Sequence, residues 1–150
     1  MGIRVATLSD LPRIMDLGEQ MHAESPRWSR LSFNRAKAEQ YLAGLINGAG
    51  VIFLAEHKGE VIGGIAGQLA THWASDDMLA DEVALFIAPT MRGGIMAVRL
   101  VAVLRAWAEL RGAKWLQAGT STGVDPERTA QLYERLGFVR CAIGLEAVYA

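Results

Sequence analysis

Cysteine is almost absent: Cys141 is the single one in 150 residues. No internal disulfide can form, and that usage suits a reducing cytoplasm. At this position near the chain end, Cys141 is expected to be a small buried hydrophobe. Histidine is sparse and scattered at His22, His57 and His72, with no ligand spacing, so no metal site is expected. Charge of one sign is not in surplus. Lys and Arg total 15, Asp and Glu 16, and the net charge is -1. That balance disfavours nucleic acid or an anionic membrane as a partner held by overall charge. No apolar run approaches the ~20 residues a membrane helix needs, and Met1 to Leu8 lacks a signal-peptide core. Gly-x-x-x-x-Gly-Lys-Ser/Thr is missing, which counts against a nucleotide triphosphatase. Gly-x-Gly-x-x-Gly after a strand is also missing, which counts against a nicotinamide or flavin site. Repeats and low-complexity segments are lacking too. What remains is a 51% hydrophobic, 21% charged chain of the size of one domain, residues 1–150.

The most informative stretch present is Ile87-Ala88-Pro89-Thr90-Met91-Arg92-Gly93-Gly94-Ile95-Met96-Ala97. An apolar strand (Val83, Leu85, Ile87) runs through a Pro-Arg-Gly-Gly turn into a long apolar helix. Free main-chain N–H groups and the positive end of a helix dipole converge there, which makes an anion site. Arg92 adds a cation suited to phosphate. Gly93 and Gly94 let a phosphate touch the backbone.

The rest of the chain reads as alternating elements. Ile3 to Thr7 is a short strand. Ser9 or Asp10 caps a helix with Leu11, Ile14, Met15, Gly18 and Met21 on one face. Glu24 to Arg30 is a loop. Ser32 is placed to cap a second helix ending at Asn47-Gly48. Val51 to Glu56 and Val61 to His72 form a hairpin, the second strand interrupted by Gly63, Gly64 and Gly67. Ser75-Asp76-Asp77 reads as a turn, and Asp81 to Ala88 as the strand entering the anion site. A helix over 94–111 follows, then a strand over 114–118 covered on both faces. Asp125-Pro126 opens a helix that Gly137 closes, with Phe138 set against Tyr133 in a Schellman turn. Arg140 to Tyr149 reads as one or two strands, and Leu145 to Tyr149 is a candidate for pairing across a homodimer. Hairpins first and crossovers later imply a mixed α/β sheet with helices on both faces.

The anion turn and the Tyr133 helix stand one strand apart, and together they resemble the GNAT N-acetyltransferase superfamily. The family's Arg/Gln-x-x-Gly-x-Gly/Ala signature is matched at its first and sixth positions by Arg92 and Ala97, with Ile95 in place of the fourth-position glycine. The second signature, Leu-Tyr-x-Lys/Arg-x-Gly-Phe, is intact as Leu132-Tyr133-Glu134-Arg135-Leu136-Gly137-Phe138. Pro126 stands where many members carry Asn. The resemblance implies a splayed sheet of six to seven strands and acetyl-CoA as co-substrate. It places Phe86, Ile87 and Ala88 along the pantetheine arm, and the N–H groups of Arg92, Gly93, Gly94, Ile95, Met96 and Ala97 on the pyrophosphate. It implies acetyl transfer to a primary amine of a small molecule or peptide by direct attack.

Such a reaction needs a base for the amine and benefits from an acid at the leaving sulfur. Tyr133 is the candidate acid, and its ring also has a structural part in packing on Phe138. Asp81 and Glu82 are the candidate bases. Strict alternation puts them on opposite faces, with Glu82 sharing the face of Ala84 and Phe86. By analogy with the family, His22, Trp28, Arg30, His72 and Trp73 are candidates for the acceptor pocket. Arg27 and Arg30 suit an acidic acceptor group. A second reading keeps the same fold but makes it a non-catalytic acyl-CoA sensor or a protein-interaction module.

Overall fold

The computed structural model describes residues 2–149. A five-stranded sheet runs in the order β1 (Gly2–Val5), β2 (Gly50–His57), β3 (Glu60–His72), β4 (Ser75–Ile87) and β5 (Leu116–Gln117). The first four strands form an antiparallel meander. β5 returns parallel to β4 after a helical crossover, as a parallel neighbour must. Helices α1 (Leu11–Glu24) and α2 (Arg35–Gly44) cover one face. Helices α3 (Met96–Leu110) and α4 (Pro126–Arg135) cover the other. Ile14, Leu17 and Leu45 pack with Leu54 and Phe86 on the first face. Leu100, Val101, Leu104 and Tyr133 pack with Phe53, Ile65 and Ile87 on the second. No helix among the described residues is long and apolar enough to cross a membrane.

Glycines shape β3 rather than interrupt it. A Cβ at Gly67 would lie 2.5 Å from Leu104 Cδ1, so this glycine admits α3 to the sheet. At Gly63 a Cβ would lie 2.5 Å from the Phe86 carbonyl oxygen, which is backbone and cannot swing aside. Gly63 therefore allows β3 to approach the end of β4 where the anion turn begins.

β4 differs from its sequence reading in two ways. It begins at Ser75, so Ser75, Asp76 and Asp77 are strand rather than turn, and Asp81 and Glu82 lie in mid-strand. It also carries a bulge. Ala66 pairs with Ala84 but Gly67 pairs with Glu82, which leaves Val83 unmatched. One extra residue reverses the alternation beyond it. Glu82 therefore does not share the face of Phe86. It points toward α4, while Phe86 packs under α1.

β5 pairs with β4 only at Ala80↔Leu116 and Asp81↔Gln117. From Glu82 to Ile87 the β5-facing edge of β4 has no strand partner. The two strands part there, and the gap opens toward the anion turn. β5 is shorter than the 114–118 expectation, and Trp115 is 48% exposed rather than covered on both faces. The tail from 139 to 149 forms no strand, which is why the sheet has five strands and not six or seven. Cys141 lies in that tail and is exposed, not buried. Asn34, rather than Ser32, caps α2 by accepting from the Lys37 N–H at 3.0 Å.

Candidate active site

The anion turn is built as an open mouth. After Ile87 the chain makes one tight turn over Pro89–Met91 and reaches α3 at Met96. Met91 N–H donates to Ala88 and Arg92 N–H to Pro89, but among the described residues no main-chain hydrogen bond is made by the N–H groups of residues 93 to 98. No side chain caps α3. Gly93 has φ +91°, a conformation L side chains rarely adopt, and a Cβ at Gly93 or Gly94 would meet no atom within 4 Å. Consecutive free donors at a helix N-terminus beside open space form an anion cradle. Ile95 sits at the N-cap position and is 68% exposed.

The Arg92 side chain turns away from this mouth. Its Nε donates to the Ile87 carbonyl at 2.8 Å and its guanidinium forks onto Glu24, with Nη2–Oε2 at 2.7 Å. The same guanidinium lies 5.2 Å from the Phe86 ring centroid. Arg92 holds the Glu24 carboxyl below its usual range. Its charge is already matched in this state, and the cradle is a main-chain feature.

Where β5 leaves β4, Glu82 and Tyr133 come together. Tyr133 projects from α4, which Asp125 caps and Gly137 ends at φ +88°. Phe138 N–H donates to the Tyr133 carbonyl at 3.2 Å, and the two rings meet edge-to-face at 5.1 Å. The Schellman turn thus fixes the phenol. The ring is buried, yet Oη has no well-formed hydrogen bond. A buried unpaired hydroxyl costs about 1–3 kcal/mol and calls for an explanation. The Glu82 carboxylate faces it, and the Gly119 main-chain N–H approaches that carboxylate. Desolvation pushes Glu82 up to about 7, against weaker opposing help from Gly119 and Tyr133. Desolvation and then the Glu82 charge push the Tyr133 phenol well above its usual value. Tyr133 therefore stays protonated, and Glu82 exchanges a proton near neutrality.

Asp81 faces the opposite side of the sheet. Gln68 Nε2 donates to Asp81 Oδ2 at 3.4 Å, and the Tyr41 hydroxyl of α2 donates to Gln68 Oε1.

The segment from Glu24 to Arg30 bridges the gap between the diverging strands. Glu24 holds Arg92 at the end of β4. Ser25 is fully buried, and its hydroxyl donates to the Thr122 carbonyl, beyond β5, at 2.5 Å. It also accepts the Trp28 N–H at 2.9 Å. Arg27 donates to the Ser121 carbonyl and forks onto Glu146 of the tail. Trp28 is half-buried and Arg30 exposed within this clasp. His22 Nε2 donates to the Leu31 carbonyl at 2.7 Å, and its ring meets that of Phe33 at a tilt of 49°, with centroids 5.1 Å apart. His72 and Trp73 lie elsewhere, at the β3–β4 hairpin tip, where Trp73 is 93% exposed. No hydrogen bond, ion pair or ring contact joins that tip to the clasp among the described residues. Sequence reasoning passed over Glu24, Ser25 and Gly119. Only Ser25 left a trace, as a small polar residue before Pro26 at a helix end.

A family model described as an acetyltransferase (GNAT) domain matches residues 48–140. The chain belongs to the GNAT acetyltransferase family. The matched span contains the amide mouth, Glu82 and the whole of α4. No curated protein sequence matches the chain. Solved structures do. A GCN5-related N-acetyltransferase from Ralstonia eutropha superposes with a TM-score of 0.80 at 17% identity, over 98% of this chain and 97% of that one. An aminoglycoside antibiotic 6'-N-acetyltransferase from Acinetobacter haemolyticus gives 0.75 at 14% identity, over 100% and 99%. A Trypanosoma brucei acetyltransferase gives 0.73 at 18% identity, over 99% of both chains. At such identities the likeness is one of fold. Within the GNAT frame, the intact Leu132–Phe138 signature is the end of α4 and its cap, and the altered Arg92–Ala97 signature is the amide mouth. No group of three or more His, Cys, Asp or Glu side chains is placed to hold a metal among the described residues.

Proposed function

We propose that this chain is an N-acetyltransferase that moves an acetyl group from acetyl-CoA to a primary amine of a small molecule or peptide, by direct attack in a ternary complex. The observation that carries this reading is the buried, unpartnered Tyr133 hydroxyl beside Glu82, at the head of a gap that leads to unpaired amides. The main-chain N–H groups of 93 to 97 hold the diphosphate of the co-substrate. The free edge of β4 at Phe86, Ile87 and Ala88 flanks its pantetheine arm, and the thioester supplies the acetyl group.

The chain's own residues handle the protons. A lysine-type ammonium has a pKa of about 10.4, so roughly one in 2,500 is neutral at pH 7. Glu82, poised at about 7, takes the proton from the bound amine. Tyr133 keeps its proton and donates a hydrogen bond to the departing sulfur, whose thiol pKa is about 8.5. No enzyme nucleophile is needed. The structural relative from Acinetobacter haemolyticus is an aminoglycoside N-acetyltransferase, which supports a small amine as the acceptor.

Release of free thiol from acetyl-CoA with a panel of primary amines tests the reading. An acetyltransferase releases thiol in an amine-dependent way. A sensor of the same fold gains melting temperature with CoA and releases none.

A further inference from the structure

We propose that Arg27 and Arg30 form a carboxylate subsite at the acceptor end of the cleft, so that the amine acceptor carries a carboxylate of its own, for which Glu146 stands in. This deepens the acetyl-transfer reading and rests on it. Arg27 places Nε 3.2 Å from Glu146 Oε1 and Nη2 2.7 Å from Oε2, and Arg30 Nη2 adds a contact at 3.4 Å. Two guanidiniums closing on one carboxylate, one of them as a fork, is the geometry of carboxylate recognition.

The two sides of this contact are built differently. The arginine side is pre-organised. Arg27 also donates to the Ser121 carbonyl, and its stem lies against Gly123, where a Cβ would be 3.3 Å from Arg27 Cγ. Buried Ser25 ties the same loop to Thr122. The Glu146 side has no such frame. It sits in a tail without secondary structure, next to Leu145, which is 94% exposed. Both partners of the ion pair are 40–46% exposed, so the pair is solvent-screened and readily exchanged for another carboxylate.

Position links the subsite to the chemistry. Ser121 lies two residues beyond Gly119, whose N–H approaches Glu82. Two residues span at most ~7 Å. Glu82 and the arginines are thus held along one short stretch of chain, and an acceptor long enough to bridge them would present its amine to Glu82 and its carboxylate to the arginines. Amino acids and short peptides meet that requirement. A polycation does not, because the arginine pair repels it.

The test uses the full chain with matched pairs: L-leucine against L-leucinamide, glycylglycine against its amide, and spermidine as the polycation. Thiol release gives the acid-to-amide ratio of kcat/KM. Comparing that ratio between the parent and Arg30→Gln cancels the intrinsic basicity of each amine. Among the described residues the Arg30 guanidinium pairs with Glu146 alone, and the bonds of Arg27 to Ser121 and Glu146 do not involve it, so the variant keeps the Arg27 latch. The subsite predicts a ratio at least about tenfold lower in Arg30→Gln, and a KM for the acids several-fold lower in Glu146→Gln with the amides unchanged. A ratio equal in parent and Arg30→Gln, or spermidine as the best acceptor, overturns it. Absence of thiol release with every amine would instead defeat the acetyl-transfer reading. In that case calorimetric titration of L-leucine and L-leucinamide into the CoA-saturated chain decides the subsite alone: tighter acid binding that Arg30→Gln abolishes supports it, and equal binding rejects it.

Discussion

Asp81 and Glu82 are consecutive residues of β4, and the fold gives them different surroundings. Asp81 faces α2 and takes a hydrogen bond from Gln68, itself bonded to the half-exposed Tyr41. Glu82 faces α4, where desolvation pushes it up to about 7 beside a phenol whose hydroxyl has no well-formed hydrogen bond. One carboxylate belongs to a polar surface network and the other to a dry niche at the open edge of the sheet. Carboxylates whose environments diverge in this way divide their roles. Net charge and strand position do not separate the two; what they face does.

The strongest way to break the comparison is to neutralise each in turn. Glu82→Gln is expected to lower kcat by about 10²- to 10⁴-fold, the usual worth of a positioned base. Asp81→Asn is expected to stay within about threefold of the parent. Equal losses would erase the distinction. Next in size is Tyr133→Phe, expected to lower turnover by about tenfold to a thousandfold. That variant also deletes a buried unsatisfied hydroxyl, so its melting temperature should hold or rise. A large drop would make the ring contact with Phe138, and not the hydroxyl, the feature that matters.

The amide mouth sharpens the picture from the other end of the gap. Gly94→Leu puts a side chain into space that holds no protein atom within 4 Å of the added Cβ. Stability should be unchanged while CoA affinity, measured by calorimetry, falls about tenfold or more. Undiminished affinity would place the diphosphate elsewhere.

The smallest expected effect is the pH dependence of stability. Glu82 titrates at its ordinary 4.5 when unfolded and at about 7 when folded. Between those values the native state binds more protons, so folding stability falls as pH rises from about 4.5 to about 7. Glu82→Gln removes that loss. Above pH 7 it should be more stable than the parent by on the order of 1–3 kcal/mol in denaturant titrations, with the gap closing below pH 4.5. The parent's kcat/KM should rise through the same region, to a plateau above pH 7, with the limb absent in Glu82→Gln.

Much of the fold was legible because it rests on local chemistry. Asp125, Pro126, Gly137 and Phe138 spell out the ends of α4, and Gly93-Gly94 spell out the turn before α3. The facing of Glu82 was not legible, because a single unmatched residue, Val83, undoes the alternation that sequence reading relies on. Nor could periodicity reveal that Arg92 is matched by Glu24, a pairing across 68 residues. The tail misled for a different reason. Its β-forming residues, Val139, Ile143, Leu145 and Val148, find no strand to pair with and stay exposed. Propensity describes a fit to a sheet and cannot supply the sheet.

On the proposed reading, unpaired amides and an unpaired phenol mark the two ends of one acyl-CoA path. A crystal structure of the chain with CoA tests it most directly. The diphosphate oxygens are expected within hydrogen-bonding distance of the N–H groups of residues 93 to 97, with the sulfur against Tyr133 Oη. CoA bound away from that turn, or a sulfur on the Asp81 side of β4, would contradict it.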